Sequence, residues 1–204
     1  DINFAVITGN PQAQTAANLT QLYKEVDILN KYFVAEDRSK IIHFRFKAAH
    51  FYDEIQGACD FVALGDSTDP YDTNGWALTF DACDDVRVRD PKAINFYVFD
   101  AYSESLGFDD KMCHGKRNNY HAYILIDWEM LNHVAYAAEE HEMGHAFGLG
   151  HTCTPGATAT TSTNIMNSFE PCNARTGLRD IGFNQSQIDR INQVADLILI
   201  EFNK

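Results

Sequence analysis

The chain has 204 residues, with 16 Lys and Arg against 29 Asp and Glu, a formal net charge of −13. An acidic chain without clustered basic residues is a poor partner for nucleic acid. No apolar run approaches the ~20 residues of a membrane span, so a globular protein with a sizeable core is expected from the 45% hydrophobic content. The fold begins with the first residues, and any export signal or pro-segment is expected upstream of Asp1.

In chain order, Ile2 to Thr8 is β-branched and weakly alternating, the pattern of a first strand. Pro11 opens a helical pattern in which Ala16, Leu19, Tyr23, Val26, Leu29 and Phe33 recur at spacings of three and four. Ile41 to Phe46 reads as a second strand and Ile94 to Phe99 as another. Between them, His50 to Lys92 is too long for a simple connection. Its run from Asp66 to Gly75 alternates oxygen-bearing residues and can cage calcium, overhang a cleft, or serve as a solvated acidic turn. Tyr123 to Ile126 is a strongly apolar strand, and Asn132 can cap a following helix. Gly156 to Gly182 is irregular. Asn184-Gln185-Ser186-Gln187 is a capping box that opens a closing helix with Ile188, Ile191, Ala195 and Ile198 on one face. The interleaving of strands and helices predicts an α/β (α+β) fold with a twisted, mostly parallel sheet covered by helices.

The chemistry concentrates in His141-Glu142-Met143-Gly144-His145-Ala146-Phe147-Gly148-Leu149-Gly150-His151. Histidines four apart on a helix share one face, one turn apart, so His141 and His145 can reach one ion. Gly148 can end the helix in a left-handed conformation, after which the chain turns back and His151 supplies a third nitrogen. Three imidazoles leave a fourth position open, as catalytic zinc requires and structural zinc does not. Glu142 follows the first ligand, where a carboxylate can act as general base on a water attacking an amide carbonyl. One of Glu139 and Glu140 can orient a histidine through its other ring nitrogen, or both can line a solvated helix face. His43, His50, His114, His121 and His133 lack ligand spacing.

This stretch matches HExxHxxGxxH, and the chain resembles the metzincin clan of zinc metalloproteases. Asn164-Ile165-Met166-Asn167 is similar to the clan's methionine turn. The resemblance implies that Met166 is a hydrophobic floor beneath the metal and not a ligand. It implies an upper lobe of about 1–151 with the sheet and two long helices, and a small irregular lower lobe of about 152–204 ending in a helix. The whole of 1–204 would then form a single catalytic domain. It also places an antiparallel edge strand within Ser105 to Tyr120, along which an extended protein or peptide substrate would pair. The wall of the pocket beyond the scissile bond would come from Asn164 to Cys172. Within the clan, Gly148-Leu149-Gly150-His151-Thr152 with Cys153 most resembles the pappalysin-like group. Where several metzincins carry a tyrosine two residues after the methionine, this chain has Ser168, followed by Phe169.

The five cysteines are Cys59, Cys83, Cys113, Cys153 and Cys172. Cys153 and Cys172 bracket Met166, and the pappalysin-like group has cysteines at matching places. A bridge here would pin the turn and contribute about 3 kcal/mol in the chain-entropy model. Cys59–Cys83 is the preferred second pair, which leaves Cys113 free, paired outside the chain, or exchanged into that pair. Together these features predict a secreted, monomeric zinc endopeptidase. The alternatives are an inert zinc-bearing adhesion or recognition domain of the same fold, or a hydrolase of cell-wall amides; retention of Glu142 favours catalysis.

Overall fold

The computed structural model describes residues 1–54, 59, 82–100, 113–118, 121–131, 138–170 and 172–204. Among these residues five strands are formed: β1 (Ile2–Ile7), β2 (Phe46–Tyr52), β3 (Ile94–Phe99), β4 (Cys113–Asn118) and β5 (His121–Asp127). They make one sheet in the order β2-β1-β3-β5-β4. The first four in that order run parallel, and β4 closes the edge antiparallel to β5. The mixed α/β class expected from the interleaved pattern is the class observed, and β4 falls inside the window expected for an antiparallel edge.

Every residue of β1 and β3 is buried. A parallel sheet covered on both faces needs such largely apolar strands, and the period of two sorts their apolar residues into two cores. Ile2, Phe4, Val6, Ile94, Phe96, Val98, Ile124 and Ile126 share one core with the helices. Ala5, Ile7, Tyr97, Phe99, Tyr123 and Leu125 face the other, with Val88, Cys59 and Cys83. Those two cysteines form a disulfide with Cα atoms 4.5 Å apart. At the start of the sheet, buried Asn3 donates to Asn95 Oδ1 at 3.1 Å and Asn95 donates to the Asp90 carbonyl at 2.9 Å. These bonds satisfy polar groups whose burial would otherwise be costly.

The helical face carries α1 (Pro11–Ala16), α2 (Leu19–Tyr32), α3 (Ala138–Ala146) and α4 (Gln185–Phe202). The single helix expected from Pro11 to Phe33 is two. Asn18 interrupts it, its side chain accepting from Gln21 N at 3.1 Å and donating to the Thr15 carbonyl at 2.8 Å. The break rotates the apolar stripe: Leu22, Val26, Leu29 and Phe33 are buried, whereas Leu19 and Tyr23 are about half exposed. The strand expected at Ile41 to Phe46 begins only at Phe46. Asn30 explains the delay, since its side chain accepts from Phe44 N at 2.8 Å and donates to the Phe44 carbonyl at 2.9 Å. Backbone groups taken by a side chain are not available to a sheet neighbour.

On α4 the capping box forms as expected, with Asn184 accepting from Gln187 N and Gln187 Oε1 accepting from Asn184 N, both at 3.0 Å. Ile191, Val194 and Ile198 are its buried stripe. Among the described residues no helix is long and apolar enough to cross a membrane. The Asp66–Gly75 run, expected to cage calcium or to form an acidic turn, lies outside the described residues, as does the cap expected at Asn132. The side chain of Cys113, at the start of β4, is likewise outside them.

Candidate metal centre

His141 and His145 lie one turn apart on α3, as their spacing dictates. Gly148 ends the helical run with φ +80°. Its N–H donates to the His145 carbonyl at 2.8 Å, and Leu149 N–H donates to the Gly144 carbonyl at 3.0 Å. This pair of bonds is the Schellman closure of a helix, and it requires a residue that tolerates the left-handed region. The reversal brings His151 back over the helix. His145 Nε2 then lies 3.1 Å from His141 Nε2 and 3.0 Å from His151 Nε2. One ligand nitrogen from each of the three lies within 4.8 Å of the others.

The other ring nitrogens are fixed by backbone. His141 Nδ1 is 2.8 Å from the Ile165 carbonyl, and His145 Nδ1 is 2.8 Å from the Leu149 carbonyl. A carbonyl only accepts, so both rings carry their proton on Nδ1 and turn an Nε2 lone pair toward the common point. Two lone pairs 3.1 Å apart repel unless a cation lies between them. Tetrahedral zinc with Zn–N bonds of about 2.0–2.1 Å needs nitrogens about 3.3 Å apart, close to the spacing here. The donor set therefore fits zinc.

Burial keeps the His141 ring neutral, lowering its pKa from 6.5 to about 2, with the positive charge of Arg179 as the next cause; the bond to Ile165 opposes them. A ligand that never protonates near neutral pH is ready to bind metal. Exposure rises from buried His141 through half-buried His145 to exposed His151. The group thus opens to solvent on the His151 side, and among the described residues no fourth Cys, His, Asp or Glu joins it. Glu142 is half-buried on α3, immediately after the first histidine.

Beneath the histidines, residues 164–167 form a tight turn. Asn167 N donates to the Asn164 carbonyl at 2.8 Å, and Met166 N donates to Asn164 Oδ1 at 2.9 Å. The Asn164 amide donates to Gln187 Oε1 at 2.9 Å and accepts from Gln187 Nε2 at 3.0 Å. The turn is thereby anchored to the capping box of α4. On its other side, Thr152 N donates to the Met166 carbonyl at 2.8 Å and Ser168 N to the Thr152 carbonyl at 2.9 Å. These bonds join the turn to the residue after His151. Met166 is fully buried, and its thioether lies where a Cβ on Gly144 would stand. Cys153 and Cys172 form a disulfide, Cα atoms 6.0 Å apart, that straps this segment.

Several expected roles change. Glu139 and Glu140 neither orient the histidines nor line a solvated face: carbonyls hold both Nδ1 atoms, and both glutamates are fully buried near Glu25. Burial first raises the Glu139 pKa, followed by the charges of Glu140 and Glu25. Burial likewise raises that of Glu140, to about 8. Ser168 takes part through its backbone, while Phe169 is more than half exposed. Beyond the expected site residues, the structure brings in the carbonyls of Ile165 and Leu149, the small side of Gly144, and the charge of Arg179 acting on His141. Gly144 sat inside the motif and was readable there as a close-approach position; carbonyl roles leave no trace in residue identity.

No protein-family model matches the sequence, and no curated protein is significantly similar to it. Among solved structures, archaemetzincin from Methanopyrus kandleri is similar at 10% identity and a TM-score of 0.42, over 96% of each chain. Mirolysin in complex with compound 9 is similar at 11% identity and a TM-score of 0.46, over 99% of this chain and 96% of that one. Likeness at this level decides no chemistry, which rests on the histidine geometry itself.

Proposed function

We propose that the chain is a secreted zinc-dependent endopeptidase of metzincin type, in which His141, His145 and His151 hold the metal and Glu142 is the general base. The observation that carries this reading is the convergence of three imidazoles, two of them locked with Nε2 outward, on a point open to solvent. Zinc held there supplies an acidified water and a Lewis acid for a carbonyl.

The chain's own residues account for the rest. A Glu142 carboxylate oxygen takes one proton from the attacking water as its oxygen joins the carbonyl carbon. The C–N bond then breaks, and Glu142 returns that proton to the leaving nitrogen, yielding an amine and a carboxylic acid, whose remaining proton passes to solvent. Met166 is the apolar floor that fixes the height of α3 over the turn. The disulfide Cys153–Cys172 keeps that floor in place. An extended substrate pairs with the outer edge of β4, the last strand in the sheet order among the described residues. Residues 1–204 act as one catalytic domain and as a monomer, the part up to about residue 151 above the cleft and the remainder below it. Two disulfides fit an extracellular site of action. The pappalysin-like pattern around His151 and Cys153 is the nearest within the clan.

The test is proteolysis of casein by zinc-loaded protein, with and without a chelator and beside Glu142→Ala. Cleavage that stops with the chelator, returns with zinc and is lost in the variant is expected. A zinc-loaded chain that cleaves no protein or peptide would overturn the reading.

A further inference from the structure

We propose that Asn164 is a positioning residue of this site: its side chain holds the peptide plane between Ile165 and Met166, and that plane aims the zinc ligand His141. The inference rests on the zinc-peptidase reading above and adds to it a residue outside the histidine motif.

One planar unit links the two side chains. Asn164 Oδ1 accepts from Met166 N at 2.9 Å. The carbonyl at the other end of that same peptide bond, Ile165 O, lies 2.8 Å from His141 Nδ1. A trans peptide is rigid and its N–H and C=O point in opposite directions, so fixing the N–H fixes where the carbonyl points. Asn164 therefore acts on the ring without touching it. Backbone bonds hold the flanks of the plane: Ile165 N donates to the Ile181 carbonyl at 2.9 Å, and Asn167 N to the Asn164 carbonyl at 2.8 Å.

The amide is itself anchored from two sides, so it directs the turn instead of following it. Its Nδ2 donates to the Gly182 carbonyl and to Gln187 Oε1, both at 2.9 Å, and its Oδ1 also accepts from Gln187 Nε2 at 3.0 Å. With the Met166 bond, both donors and both acceptor lone pairs of the amide are used. Gln187 belongs to the first turn of α4. Gly182 is pressed against the segment after α2: a Cβ there would collide with the Val34 and Ala35 carbonyls, and Phe183 N donates to the Val34 carbonyl at 2.9 Å. The Asn164 side chain is the meeting point of α4, the loop after α2 and the carbonyl partner of the histidine.

Polarity follows the same line. A peptide N–H that donates shifts electron density onto its own carbonyl, and hydrogen bonds in series strengthen one another. The Ile165 oxygen becomes a better acceptor for His141 Nδ1–H, and the Nε2 lone pair across the ring a better ligand for a metal. His141 is the most buried of the three histidines, so water has the least access to replace this bond if the carbonyl turns away.

The experiment compares Asn164→Ala with Asn164→Ser. Both lose the ties to Gly182 and Gln187, but a serine hydroxyl still accepts from the N–H two residues on, and alanine does not. Asn30→Ala, which loses the bonds to Phe44, reports the effect of lowered stability alone. Zinc affinity is measured by competition with a chelating dye, and the His141 Nδ1–H resonance by NMR of the zinc-free proteins. Asn164→Ala is expected to bind zinc about 10–100-fold more weakly, with Nδ1–H moved upfield as its bond weakens. Asn164→Ser and Asn30→Ala should stay within about fivefold of wild type, with the resonance in place. An Asn164→Ala within about fivefold of wild type overturns the proposal, and so does either other variant falling beyond that limit. If Asn164→Ala does not fold, hydrogen exchange of the wild type decides. Met166 N–H and His141 Nδ1–H should be protected together, and free exchange of one beside protection of the other overturns the proposal. A wild type that binds no zinc refutes the zinc-peptidase reading, and the resonance shift in Asn164→Ala then decides the role of Asn164 by itself.

Discussion

Gly144→Ala tests the packing of the zinc-binding helix on its floor. A Cβ at Gly144 would stand 3.2 Å from Met166 Cε and closer still to Sδ. Met166 is fully buried. In an unobstructed helix interior, alanine gains about 1 kcal/mol over glycine. Overpacking a buried site costs about 1–3 kcal/mol, so the net expectation is about 0–2 kcal/mol of destabilisation. Met166→Ala alone should cost about 2–5 kcal/mol through the cavity it leaves. In the double variant the new methyl occupies part of that cavity. The double should therefore be more stable than the sum of the singles by about 1 kcal/mol or more, as expected for residues in contact. The assay is urea unfolding of the zinc-free proteins with linear extrapolation, so that metal binding does not enter the comparison. Additivity within about 0.5 kcal/mol would show that Gly144 and Met166 do not touch, and the floor would have to be placed elsewhere.

Other expectations follow from single contacts. Replacing both Cys153 and Cys172 by Ser should lower stability by about 3 kcal/mol, read as the shift of the unfolding midpoint; no shift would mean the strap is absent. Asn184→Ala removes the α4 cap and should cost about 1 kcal/mol, and it should also loosen the turn that Gln187 holds through Asn164, seen as faster amide exchange at 164–167.

Much of this architecture was legible because a few residues have no alternative use. The segments Ile2–Ile7 and Ile94–Phe99, apolar except for Asn3 and Asn95, were readable as strands, and they are the buried centre of the sheet. The four-residue spacing of His141 and His145 and the glycine at 148 determine the helix face and its end. Asn184 and Gln187 announce α4 through reciprocal capping. Elsewhere a single side chain decided against the pattern. Asn18 splits a helix whose apolar spacing runs on through it, and Asn30 holds Phe44 out of a strand that the β-branched run suggested. The burial of Glu139 and Glu140 was not legible, because carboxylates on a helix ordinarily read as solvent-facing. Nor could the orientation of the histidines by backbone carbonyls be read, since carbonyls are common to every residue.

The most direct test of the central claim is a titration of peptidase activity with zinc in metal-free wild type and Glu142→Ala. The expected result is cleavage that rises linearly to one zinc per chain in wild type. The variant should bind the same single zinc with activity lower by about 10²–10⁴-fold. Equal activity in the variant, or cleavage that does not depend on zinc, would contradict the account.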